Sequence, residues 1–205
     1  MDKIENFYVI EGLDGSGTTT QLHRITRKAE GLSPRLYPTF EPTDNPIGTL
    51  IRRILHKELT VPPDTLMRLF SADRSLHLFE NINGILDHVA SGETVISDRY
   101  LFSSVAYQSL HASMDDVLKL NTFPLPHRLF FIELSPEECA SRRKTRSTAE
   151  LFDETEMQRK IRENYYRAFE RFPELDIEII DGSAPIDEIA RIIWRSLPYP
   201  PIDKL

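Results

Sequence analysis

The chain has 205 residues, 40% hydrophobic and 28% charged, with a net charge of −7. That length suits one domain with a sizeable core, and the acidic balance excludes a general nucleic-acid binder, which presents a basic surface. The longest apolar runs are about four residues against the roughly 20 of a membrane span, and Cys139, the single cysteine, allows no intrachain disulfide and fits a reducing, cytoplasmic compartment.

Residues 7–10 are an uninterrupted apolar run and predict a buried strand. A loop with Gly12, Gly15 and Gly17 follows, and Thr18-Thr19-Thr20-Gln21-Leu22 opens a helix that stops near Gly31. Strand, glycine loop and helix make the context in which backbone N–H groups converge on a phosphate chain. Gly12, Gly17 and Thr19 fit the spacing G-x-x-x-x-G-K-[ST], with Thr18 in place of the lysine. Without that lysine, the spacing also fits a plain structural turn.

Residues 35–39 predict a second strand, 41–46 a loop with two prolines, and 47–55 a helix with apolar residues at helical spacing. Residues 64–91 form the longest periodic segment and predict one helix between Pro62-Pro63 and Gly92. A short strand at 94–97 ends in Asp98-Arg99-Tyr100, and 103–121 reads as helix. Residues 128–134 predict another strand, after which Ser135 and Glu138 form a capping box with Pro136 at the first helical position. A charged, poorly periodic stretch covers 142–156 before a helix resumes to about Phe172. Residues 177–180 give the last strand and 185–197 the last helix. Five strands alternating with helices imply a parallel sheet covered on both faces, in a single domain spanning 1–205. Ligands bind such sheets beyond the carboxyl ends of the strands.

Three further constellations carry chemistry. Asp98, at a strand's end beside the glycine loop, can hold Mg²⁺ through water, and Arg99 can clamp a phosphoryl oxygen. By themselves the two read as a surface ion pair. Phe70 and Arg74 stand four apart on one helix face, able to stack on a base and to reach a phosphate; core packing and an ion pair are the plainer alternatives. Arg142, Arg143, Lys144 and Arg146 form a basic run in an acidic chain, either a solvated helix end or a lid over phosphates, with the lid at about 142–156.

Taken together and in order, these pieces resemble the thymidylate kinase family of nucleoside-monophosphate kinases over residues 7–197. The residues that carry the resemblance are Glu11-Gly-Leu-Asp14-Gly-Ser-Gly-Thr-Thr-Thr-Gln21, Glu41-Pro42 with Pro46-Ile-Gly48, Leu69-Phe70 with Asp73-Arg74, and Asp98-Arg99-Tyr100 with Ser103-Ser104-x-Ala-Tyr107-Gln108. The resemblance implies a three-layer α/β fold of the P-loop NTPase type, with a five-stranded parallel sheet. It implies transfer of phosphoryl from ATP to dTMP with Mg²⁺. Gly12, Leu13, Asp14, Gly15, Ser16, Gly17, Thr18 and Thr19 would hold the ATP phosphates, with Thr19 and Asp98 at the metal. Asp14 would also contact the acceptor sugar, and Phe70 would stack on thymine. Arg74 and Arg99 would bind the acceptor phosphate, and Ser104, Tyr107 and Gln108 would line the pocket. Members with glycine at the position of Gly15 carry the catalytic arginine in the lid, here Arg143 or Arg146. Family members are commonly homodimers.

Three departures each remove a cation from the phosphates: Thr18 for lysine, Phe40 where arginine is common, and Phe152-Asp153 where Asp-Arg is common. A unit charge about 4 Å away at an effective dielectric of 20 is worth roughly 4 kcal/mol, or about three decades in rate. Arg143 or Arg146 is expected to supply part of that charge. Two other readings stay open here: a non-catalytic or weakened nucleotide-binding homologue, and a kinase for another nucleoside monophosphate.

Overall fold

The computed structural model describes residues 2–143 and 151–201. Five strands, β1 (Lys3–Gly12), β2 (Leu36–Phe40), β3 (Thr94–Asp98), β4 (Leu125–Glu133) and β5 (Asp176–Asp181), form one parallel sheet in the order β2-β3-β1-β4-β5. Helices cover both faces, which gives the expected α/β architecture. The central strands are apolar because both faces are buried, so alternate residues feed different cores. Phe7, Val9, Val95, Leu129 and Phe131 enter the larger core, under α3 (Pro63–Phe79), α5 (Leu101–Gln108) and α8 (Thr155–Phe169). Tyr8, Ile10, Ile96, Phe130 and Ile132 enter the smaller one, under α1 (Thr18–Ala29) and α9 (Ile186–Trp194). The stripe Ile189, Ile193 and Leu197 seats α9, and burying each such side chain contributes about 1.5–3 kcal/mol.

Two predicted helices are broken in the structure. The segment 64–91 is α3 followed by α4 (Ile85–Ala90). Glu80 leaves the helix at ψ 130, Asn83 takes a left-handed φ of 69, and a Cβ on Gly84 would lie 2.4 Å from the Glu80 carbonyl oxygen. The apolar residue that carried the period across the break, Ile82, is 72% exposed. Likewise 103–121 is α5 followed by α6 (Met114–Leu120), which Ser113 caps by accepting the Asp116 N–H at 3.2 Å. That Ser-x-x-Asp pattern is a cap the periodicity masks.

The remaining helices follow expectation. Asn45 caps α2 (Pro46–Leu55), accepting from Ile47 N and Gly48 N at 2.8 and 2.9 Å. Ser135 accepts the Glu138 N–H at 3.3 Å at the start of α7 (Pro136–Arg143). Glu138 returns its carboxylate to the Ser135 hydroxyl rather than to the backbone.

Sheet order fixes the site. β1 is flanked by β3 and β4, so its carboxyl end is where the connections diverge. Ile10 and Phe40 pair in register with Asp98, and two bonds tie the strand ends together: Arg99 N to Ile10 O at 2.9 Å and Glu41 N to Asp98 O at 3.1 Å. Gly12, Glu41 and Asp98-Arg99 therefore emerge side by side.

Candidate active site

The loop after β1 reaches α1 through Gly15 and Gly17, at φ 95 and 106. It lines a cavity of about 580 Å³ with Arg99, Arg142 and Arg143. Gly15 is glycine for two reasons. Its φ is left-handed, and a Cβ would lie 2.8 Å from the Cys139 carbonyl oxygen and 3.1 Å from Arg143 Cγ. The loop is thus packed directly against α7. Burial against that loop pushes the Cys139 thiol up to about 11, so it is a structural, unreactive group.

Thr19 Oγ1 donates to Asp98 Oδ2 at 2.5 Å. Asp98 Oδ1 is buried and accepts no hydrogen bond from the described residues. Two hard oxygen ligands stand together with spare acceptor capacity, a donor set that fits Mg²⁺, which takes few protein ligands and completes its shell with phosphate and water. Thr18 is 6% exposed at the start of α1.

Two arginines at the end of α7 reach the loop. Arg142 donates to Ser16 O at 3.3 Å and Gly182 O at 3.1 Å. Arg143 donates Nη1 to Asp14 O and Nη2 to Asp153 O at 3.0 Å, with Nε 3.1 Å from Asp153 Oδ1. Asp153 thus serves as the anion that holds Arg143 against the loop. Arg146 and the rest of residues 144–150, where a lid was expected, lie outside the described residues.

A second cavity, about 220 Å³, opens beside the first. Phe70, Arg74, Ser104, Tyr107, Gln108 and Phe152 line it, together with Asp14 and Arg99. Phe70, Arg74, Arg99, Ser104, Tyr107 and Gln108, singled out along the sequence, thus line one cavity. Arg99 Nη2 donates to Asp14 Oδ1 at 2.6 Å, and its guanidinium lies 5.3 Å above the Tyr107 ring. Arg74 is 1% exposed at the floor, donating to Glu41 at 2.6 Å, to Tyr100 O and Ser104 Oγ at 3.0 Å, and to Asn121. Burial works to raise the Glu41 carboxyl, but the Arg74 charge and the His77 contact together hold it below its ordinary range. Asp73 ties the loop after β2 to α3, accepting Thr43 N at 2.9 Å and Thr43 Oγ1 at 2.6 Å.

Residues 10–193 match the family model for thymidylate kinase. A putative thymidylate kinase of Treponema pallidum is 37% identical over 203 residues, covering 96% of this chain and 97% of its own. A probable thymidylate kinase of Pyrococcus horikoshii is 36% identical, covering 89% and 91%. One of Pyrobaculum calidifontis is 34% identical, covering 90% and 92%. The chain belongs to the thymidylate kinase family.

Within this thymidylate kinase site, the departures from the family pattern fall unevenly. Thr18 does line the cavity at the glycine loop. Phe40, 39% exposed, lines a separate hollow with Tyr37, Asn45 and Asn83, clear of both cavities. Arg52 lines the smaller cavity instead, from α2, bonded to Pro42 O and Asp44 at 2.7 Å. Sequence reasoning passed over Arg52, one cation in an ordinary amphipathic helix. It also missed Gln158, which joins Asp14 Oδ2 at 3.1 Å to Phe152 O at 2.9 Å, and Tyr165, a core-spaced aromatic whose hydroxyl reaches Arg99 Nη1 at 3.4 Å.

Proposed function

We propose that the protein transfers the γ-phosphoryl group of ATP to dTMP, giving ADP and dTDP. One observation carries the reading: the two cavities share a wall, and that wall is the Asp14–Arg99 pair. A triphosphate on the glycine loop and a monophosphate in the smaller cavity would meet at Arg99. The oxygen of the acceptor phosphate attacks the γ-phosphorus while the bond to the β-phosphate oxygen breaks. Catalysis of this type is mostly positioning and charge neutralisation.

Loop N–H groups from Gly12 to Thr19 cradle the donor phosphates, and Thr19 and Asp98 would hold Mg²⁺. Bound there, Mg²⁺ would neutralise charge on the donor phosphates. Arg99 faces both nucleotides, and Arg52 supplies the second cation on the acceptor side. Arg74, already joined to Glu41, orders the floor beneath Phe70, whose ring stacks on the base. Ser104, Tyr107 and Gln108 shape the pocket, and Asp14 meets the acceptor sugar. Arg143, held over the loop by Asp153, brings a positive charge near the position that lysine leaves at Thr18. The expected homodimer has a candidate face in Phe79 and Ile82, 51% and 72% exposed.

The test is a coupled ADP-release assay with ATP, Mg²⁺ and a panel of nucleoside monophosphates. Turnover with dTMP well above a Thr19→Ala, Asp98→Ala double variant is the expected result. Activity confined to another monophosphate would overturn the acceptor, and no turnover at all would leave a nucleotide-binding protein.

A further inference from the structure

We propose that Glu11 is a positioning residue that sets the aim of Arg99 through the hydroxyls of Ser103 and Tyr165; the role rests on the phosphoryl transfer assigned above. Glu11 is fully buried near the end of β1, beside the glycine loop. Four donors fill its carboxylate. Oε1 accepts Tyr100 N at 3.0 Å and Ser103 N at 3.1 Å. Oε2 accepts Ser103 Oγ at 2.5 Å and Tyr165 OH at 2.9 Å.

The backbone half of this network fixes where α5 begins. Arg99 sits at φ 74, a left-handed conformation that costs a non-glycine residue about 1–3 kcal/mol. Glu11 takes two N–H groups at the start of the helix that follows, groups an ordinary capping side chain would satisfy. The turn at Arg99 is therefore braced from β1.

The hydroxyl half fixes the guanidinium. An ionised carboxylate only accepts hydrogen bonds. Ser103 Oγ and Tyr165 OH lie 2.9 Å apart, so their protons run toward Glu11 either directly or relayed through Ser103. Their lone pairs then face Arg99 Nη1, 2.9 Å from Ser103 Oγ and 3.4 Å from Tyr165 OH. With Nη2 on Asp14, the guanidinium is held at both ends where Arg99 lines both cavities. Burial raises the Glu11 carboxyl, so ionising it works against folding as pH rises above the ordinary carboxylate range. The charge serves the geometry rather than the stability.

Glu11→Gln tests this, because the amide keeps the shape but puts a donor where both hydroxyls now donate. The two hydroxyls must then redirect their protons toward each other, toward the Gly12 carbonyl oxygen 3.4 Å from Tyr165 OH, or toward Arg99 Nη1, which changes the acceptor pattern the guanidinium meets. The expected result is kcat lowered at least about tenfold, with KM for ATP within about threefold and the melting temperature held. In an Arg99→Lys background the same substitution should cost under about twofold, since it acts through Arg99. A kcat unchanged by Glu11→Gln, or an equal loss in both backgrounds, overturns the proposal. Tyr165→Phe, which removes one hydroxyl, should lower kcat in the same direction and serves if the Gln variant does not fold; a wild-type kcat overturns the proposal there too. The second readout needs no turnover: the Arg99 Nε–H resonance, identified by its loss in Arg99→Lys, should shift in either variant free of nucleotide. An unmoved resonance overturns the positioning role. A wild type inactive on every monophosphate overturns the proposed reaction instead, and the resonance still decides the role of Glu11.

Discussion

Thr19 Oγ1 donates to Asp98 Oδ2 at 2.5 Å, joining the glycine loop to the end of β3 across the sheet. The pair brings together a hydroxyl from one motif and a carboxylate from another, 79 residues apart. Asp98→Asn keeps a hydrogen-bond acceptor for Thr19 but removes the charge. We expect kcat to fall by about 10²-fold or more with the fold intact, as for loss of a group acting mainly in the transition state. Steady-state kinetics against Mg²⁺ concentration checks this, and a wild-type kcat would rule out a metal role for Asp98.

Gly15 offers a test of the packing of the loop on α7. Gly15→Ala meets both a left-handed φ of 95 and the Cys139 carbonyl 2.8 Å from the new Cβ. Strain of about 1–3 kcal/mol is expected, with α7 and Arg143 displaced from the loop. The measurable result is a lower melting temperature together with a KM for ATP raised severalfold.

Arg52 and Phe40 separate two accounts of acceptor binding. Arg52→Ala removes a cation that lines the cavity, and a charge-assisted bond of about 1.5–3 kcal/mol corresponds to a KM for the monophosphate raised roughly 10- to 100-fold. KM for ATP should hold. Phe40→Ala should alter neither, because Phe40 faces a different hollow. Equal effects of the two substitutions would show that the acceptor sits elsewhere.

Thr18→Lys asks whether the site has rebuilt its charge. A lysine that simply restored a missing interaction could raise kcat by up to about three decades. With Arg143 already against the loop, we expect a change of less than about threefold. Asp153→Asn should lower kcat severalfold in parallel, by loosening Arg143. A large gain from Thr18→Lys would show that Arg143 does not substitute for the lysine.

Glu41 carries a pH dependence with a definite sign. Its carboxyl titrates below the ordinary 4.5 when folded, so the unfolded chain binds the proton first. The stabilisation is complete above 4.5 and is lost as pH falls through the folded value. Glu41→Gln leaves Arg74 buried without its anion, which costs about 3–5 kcal/mol at neutral pH. Melting temperatures of variant and wild type should converge on acidification, and a gap that stays constant with pH would discount the ion pair.

The glycine spacing, the apolar strands and the order of the motifs were legible because they are local: a strand–loop–helix unit and a family signature occupy consecutive residues. From these the sheet class and the family were readable before any coordinates. The helix breaks at 80–84 and 109–113 were not legible, because Ile82 carried the apolar period through a turn that leaves it in solvent. Arg52, Tyr165 and the support from Glu11 were hidden for another reason. Their partners stand far along the chain, as Glu11 and Tyr165 do at a separation of 154 residues. Whether Arg52 lines the smaller cavity, or Phe40 turns into a separate hollow, depends on which way the strand ends face. Only the packing of the sheet against its helices decides that.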